Sequence, residues 1–210
     1  PTSMVFSPVD NTSLAMIDRG ILKIQNIARP NNPARELLEN VRAFAWSPDG
    51  SKIAVSSGGE VKVLNAITGK ALSNQVVAGK PKFPSALDWS PDGKHLAIVI
   101  TEPAFNTRHL VEVWDIEFKE KKAIFFNLGP TIDWGPKKEI VRADDPFSSR
   151  IAFGNAGGSV TIIEVGIKDG DENKKGDLAL EIGEKKKSVS AHKFRAGDPK
   201  IKRGLANLFV

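Results

Sequence analysis

An all-β fold assembled from repeated four-stranded units is what this sequence predicts, and three observations predict it. One phrase recurs four times: MVFSPVD at 4–10, FAWSPDG at 44–50, LDWSPDG at 87–93 and IDWGPKK at 132–138. Its prolines, Pro8, Pro48, Pro91 and Pro136, are separated by 40, 43 and 45 residues. Each phrase is followed by strand-type apolar runs in the same order, while helical 3.6-residue patterning is almost absent. Only ARELLENV at 34–41 passes for a turn or two of helix. Repeats of about 40–45 residues with four strands each are the period of β-propeller blades.

In the second unit VRAFAW alternates and ends in a large aromatic residue. SPDG is a turn: Pro presets φ at the first central position, and Gly takes the place where other residues would be strained. KIAVSS is a nearly continuous apolar strand, GGE a tight turn, EVKVLN a second alternating strand, TGK a turn and ALSNQVV a weaker outer strand. The third unit repeats this with HLAIVI, VEVWDI and KKAIFF, and the fourth with RIAFG, SVTIIEV and DLALEI. The first supplies SLAMID and ILKIQNI. The second strand of each unit is the most apolar, as a strand covered on both faces should be, and the last is the most polar, as an edge should be. Trp46, Trp89 and Trp134 occupy one equivalent place and are expected to pack between adjacent blades.

The WSPDGxxhAhxS pattern resembles the propeller repeats of the TolB type, and Trp114-Asp115 stands where WD-repeat proteins carry their namesake dipeptide. Asn65 and Gln25-Asn26 hold the matching places in other units. The resemblance covers residues 4–183. It implies a propeller and little about function, since such repeats serve scaffolds, periplasmic proteins and enzyme side domains alike. No unit has the Gly-His dipeptide of WD repeats, so the TolB-like variant fits better. Residues 1–183 are therefore read as blades one to four, and 184–210 as a basic linker and the start of a fifth, with Phe194 at the tryptophan place and LANLFV as an apolar strand. Because that strand is left without its blade, the 210 residues are expected to form part of a larger propeller.

Composition narrows the function classes. With 40% hydrophobic and 26% charged residues the chain is globular in type, and no apolar run reaches the length of a membrane span. The N-terminus shows neither the basic head nor the apolar stretch of a secretory signal, although it also lacks an initiator Met. Absence of cysteine excludes disulfides, thiol catalysis and thiolate metal sites, and suits either cytosol or periplasm; the expected compartment is the cytoplasm. His95, His109 and His192 are not spaced as ligands. The charge is lopsided: residues 185–210 hold eight basic residues against one acid, so of the +5 total they carry +7 and the rest −2.

Several motifs fall short of chemistry. Asp169, Asp171 and Asn173 have calcium-loop spacing, but Lys174 replaces the glycine and Leu180 the terminal glutamate, so a solvated hairpin is favoured. GGSVT at 157–161 misses the nucleophile-elbow pattern at Thr161. Asp144 and Asp145 are paired carboxylates in an insertion next to Pro146, and read as a surface turn. The expectation is accordingly no enzyme, no cofactor and no metal.

Two segments remain as contact candidates. The insertion TEPAFNTRH at 101–109 exposes Phe105 and Arg108 in a loop, where propellers carry specificity. The basic run contains Lys185, Lys186, Lys187, Lys193, Arg195, Lys202 and Arg203. Such clusters neutralise phosphates of RNA or an acidic membrane surface, though a single aromatic, Phe194, makes a poor base-stacking platform. A lysine-rich linker kept soluble by its charge is the simpler reading. The leading expectation is a non-catalytic scaffold for protein partners in a larger assembly. The alternatives are an RNA- or ribosome-associated propeller using 185–203, a propeller side domain of a hydrolase, or a TolB-like periplasmic protein.

Overall fold

The computed structural model describes residues 3–76, 81–103, 108–119, 121–126, 129–135, 149–154, 159–167 and 180–190. Among them the secondary structure is entirely β, in four antiparallel four-stranded sheets, each a blade of the expected kind. Blade one pairs β1 (Ser3–Phe6), β2 (Ser13–Asp18), β3 (Ile21–Asn26) and β4 (Arg35–Leu38) in chain order. Blade two holds β5 (Val41–Trp46), β6 (Lys52–Ser57), β7 (Glu60–Asn65) and β8 (Ala71–Val76). Blade three holds β9 (Phe83–Trp89), β10 (His95–Glu102), β11 (Arg108–Asp115) and β12 (Lys121–Phe126). Blade four holds β13 (Thr131–Trp134), β14 (Ser149–Gly154), β15 (Ser159–Ile167) and β16 (Leu180–Ser190). The first three blades form one compact unit, residues 1–127, and the fourth lies in a second, 128–210.

The segment 34–41 is not helical: Arg35–Leu38 is the fourth strand of blade one, bonded to β3. Its local preference yields to the free edge of β3, whose unpaired amides and carbonyls need a partner. The last strand of blade four also runs further than DLALEI, to Ser190, because the long β15 offers partners along its length.

Alternation along each strand divides the core between two interfaces. Ile53, Val55 and Phe44 of blade two meet Ala15, Ile17 and Leu22 of blade one. From the opposite face of blade two, Ala54, Val61 and Val63 meet Leu87, Trp89, Leu96, Ile98 and Ile100 of blade three. A central strand buried on both faces explains the continuous apolar run KIAVSS. Each fully buried Ile, Leu or Val contributes about 1.5–3 kcal/mol of transfer free energy, so these two interfaces dominate the unit.

In blades two and three the repeat phrase builds the same joint. Trp89 is 3% exposed and its indole N–H donates to Ala45 O of the preceding blade at 3.0 Å. Trp46 donates to Val5 O of blade one at 3.2 Å. Trp134, at the same place in blade four, is buried as well. Bonds also run toward the following blade: Arg35 on β4 donates to Ala66 O (2.5 Å) and Ile67 O of blade two, and Ser73 on β8 to Ile116 O of blade three (2.7 Å).

After the tryptophan, the buried Ser47 hydroxyl donates to Asp49 Oδ1 (2.5 Å) and accepts the Lys52 N–H (2.9 Å). Ser90 does the same with Asp92 (2.5 Å) and the His95 N–H (2.9 Å). In blade one the loop is one residue longer, and Asp10 Oδ1 closes it by accepting the N–H groups of Thr12 (2.8 Å) and Ser13 (2.6 Å). Gly50 stands at φ +65°, and a Cβ there would fall 2.4 Å from Val9 Cγ2 in the turn of blade one. Left-handed strain and this approach together predict that Gly50→Ala costs about 2 kcal/mol, read as a lowered denaturant midpoint. An unshifted midpoint would mean that the two turns do not pack as described.

These turn carboxylates also set an acid limit. The Thr12 N–H chiefly, with that of Ser13, holds Asp10 at about 2. Burial alone would raise Asp49, but the hydroxyls of Ser47 and Ser51, the Ser51 N–H and the Lys52 charge outweigh it and leave Asp49 at about 2. Asp92 is likewise lowered: burial opposes this, and the His95 ring, Ser90 hydroxyl and Lys94 N–H overcome it. Carboxylates depressed in the folded state stabilise it fully above the unfolded value of 3.8, and that stabilisation is lost as they are protonated. The melting temperature should therefore be flat in this respect near neutrality and fall as pH drops from about 4 to about 2, with a shallower fall in Asp49→Asn. A melting temperature that holds steady down to pH 2 would contradict it.

Candidate interaction surface

Antiparallel order puts the serine turns and the third-to-fourth-strand turns at one end of a blade. The starts of first and third strands lie at the other end. The serine-turn end is occupied by its own scaffolding. The position of the namesake aspartate is one part of that: Asp115 Oδ1 accepts the N–H of Glu117 (2.9 Å) and Lys119 (3.2 Å). Asn65 Oδ1 accepts those of Ile67 (3.0 Å) and Thr68 (2.8 Å), and Asn26 Oδ1 that of Ala28 (2.9 Å). An Asp or Asn side chain mimicking a backbone turn is all the position requires.

The opposite end of blades two and three carries a feature that the sequence did not announce. On β5 one residue, Arg42, is extra between the pairs Val41↔Ser57 and Ala43↔Ser56. On β9 one residue, Ser85, is extra between Pro84↔Ile100 and Ala86↔Val99. Both stand four residues before the blade's tryptophan, so the two blades share a β-bulge at the same place. A bulge bends its strand and re-aims a side chain, and here it turns Arg42 onto the next blade, with its guanidinium carbon 4.6 Å from the centroid of Phe83. Arg42 is exposed and Phe83 half-buried. Ser85, in the second bulge, bonds the Thr101 hydroxyl at 2.7 Å, and Thr101 meets His109 Nδ1 at 3.1 Å. Lys82 and Glu102 pair beside them at 3.5 Å. Pro84 inside a strand was the one sequence signal for such an irregularity.

Of the residues singled out from the sequence, Arg108 lies at this end, exposed at the start of β11 and opposite Glu102 in register. Phe105 falls outside the described residues. Lys185, Lys186 and Lys187 belong to β16, where Glu184, Lys185 and Lys186 oppose the single residue Ile163 in a wide irregularity. Lysines and a bulge on an outermost strand are what keeps an edge from pairing with other chains. Lys193, Arg195, Lys202 and Arg203 lie outside the described residues, as do the would-be fifth blade, Asp144, Asp145 and the loop of Asp169, Asp171 and Asn173. Among the described residues no group of three His, Asp or Glu could hold a metal ion, and no helix is long and apolar enough to cross a membrane.

No family model matches the sequence, and no curated protein matches it. Among solved structures, the chain is similar to one chain of a crystal structure of the mitotic checkpoint complex. The TM-score is 0.57 and the identity 13%, over 89% of this chain and 51% of that one, so this chain spans about half the length of its structural neighbour. At that identity the likeness speaks for the fold alone. With four antiparallel four-stranded sheets it establishes an all-β propeller fold built of four-stranded blades.

Proposed function

We propose that the chain is a non-catalytic propeller scaffold, built on the TolB-like variant of the repeat, that binds a protein partner at the bulged end of blades two and three. One observation carries this reading: consecutive blades place a bulge at the same position, and the first sets an exposed Arg42 on Phe83, at the end of blade three where Arg108 is also exposed. Arginine over an aromatic ring is the chemistry that anchors protein interfaces, and bulges are the device by which a sheet presents it. The structural neighbour belongs to a multi-protein complex, which is in keeping with this use of the fold. The serine-turn end supports it less well, because its carboxylates and hydroxyls are consumed by turn closure.

The test is quantitative capture of partners from the cell that makes the protein, comparing wild type with Arg42→Ala/Phe83→Ala/Arg108→Ala. Lys94→Ala, on the opposite end, serves as the control. Partners of the wild type should fall at least about tenfold with the triple variant and persist with the control, as expected when a hot-spot cluster is removed. Retention of all partners by a folded triple variant would refute the surface. Capture that survives at low salt but is abolished by nuclease would instead identify RNA as the ligand.

A further inference from the structure

In each blade four positions form one patch: two alternate residues of the first strand and their partners on the second. In blade three these are Leu87, Trp89, Leu96 and Ile98, all buried against blade two. In blade two they are Phe44, Trp46, Ile53 and Val55, packed on blade one. In blade one register gives Met4, Phe6, Leu14 and Met16. Here the patch is open: Met4 is 58% and Phe6 50% exposed. Leu14 and Met16 are half-buried.

We infer that this patch is the seat of a further four-stranded blade of the same repeat, docked as blade one docks on blade two. Three observations carry the inference. The patch is the repeat-equivalent of two interfaces that are sealed in this molecule, so its partner's shape is set by example. That partner offers a shallow socket of small and branched residues on its second and third strands, like Ala15, Ile17 and Leu22, or Ala54, Val61 and Val63. Next, the patch has the make-up of an interface, with an apolar centre and a satisfied polar rim. Lys23, opposite Met16, is held by Glu36 at 3.0 Å and Asp18 at 3.5 Å, and Gln25, opposite Leu14, donates to Asn26 O and Asn32 O at 3.1 Å. Finally, the chain's two methionines both lie on it. Methionine is the apolar side chain that adapts best to a partner surface.

A second copy of this chain fits less well. A two-fold contact would set the patch against itself, bringing Met4 and Phe6 against Met4 and Phe6 with no socket on either side. The Phe6 ring carries no N–H, so the incoming blade need not offer the carbonyl that Trp46 and Trp89 find in Val5 and Ala45.

The two methionines make the test direct. In the protein as its cell produces it, Met4 should be oxidised by dilute peroxide about tenfold more slowly than in the same protein unfolded in guanidinium, since oxidation follows exposure. A rate within about twofold of the unfolded one, as an open patch would give, overturns the proposal. The occupant is identified by placing p-benzoylphenylalanine at position 6, irradiating and sequencing the crosslinked peptide. A peptide outside residues 3–190 that carries the strand pattern of the repeat supports the inference. A crosslink to a second copy, to residues 3–190 of the same molecule, or to a peptide without that pattern overturns it, as does the absence of any crosslink.

Discussion

Trp89→Ala is expected to remove about 4 kcal/mol of stability, the range seen when a large buried aromatic residue is truncated. The side chain is 3% exposed, lies in the core between blades two and three, and holds Ala45 O through its indole N–H. Truncation would open a cavity beside Leu96 and Ile98 and leave a backbone carbonyl without its donor. Trp89→Phe separates the two losses: it keeps most of the volume and should cost about 1 kcal/mol, the worth of one hydrogen bond. Urea unfolding of the three proteins reads both numbers. Equal destabilisation by Ala and Phe would show that the bond, and not the packing, holds the joint.

The second large effect is expected at Lys121. Its ammonium meets Glu112 Oε1 at 2.6 Å and lies 5.0 Å from the centroid of the Trp114 ring, whose N–H donates to Glu112 Oε2 at 2.8 Å. Glu112 is only 5% exposed, and these two neighbours supply the hydrogen bonds to its carboxylate. Lys121→Met keeps the apolar stem but leaves the carboxylate with the indole alone. Stripping one partner from a fully buried pair costs about 3–5 kcal/mol. Lys121 itself is one-third exposed, which admits water and reduces the expected loss to about 2–3 kcal/mol. Adding Glu112→Gln should recover most of it, because an amide tolerates burial better than an unpaired charge. A double variant no more stable than Lys121→Met would show that Lys121 acts through packing on Trp114.

The parts of this fold written in side-chain periodicity were legible in advance. Trp46 and Trp89 at their blade joints, the serine turns and the doubly buried second strands all follow from residue type and spacing, since apolar faces and left-handed glycines leave a mark on the sequence. What escaped was written in the backbone. Ala45 O and Val5 O accept the tryptophan bonds as carbonyls, and any residue would provide one. The bulges at Arg42 and Ser85 shift register by a single residue without breaking the apolar pattern after them. Arg35–Leu38 reads as helical by propensity and is a strand because β3 has an edge to fill. Of the candidate contacts, Arg108 was visible as a charged residue in an insertion. Arg42 and Phe83 were not, because each looks ordinary until the bulge sets one on the other.

The tryptophan joint has an optical consequence. The chain has four tryptophans and no tyrosine, so its ultraviolet emission comes from indole alone. Trp46 reports on the junction of blades one and two, and Trp89 on that of blades two and three. Variants keeping one of these at a time would give each junction its own fluorescent signal. Comparing their unfolding curves would show whether the blades separate together or one after another.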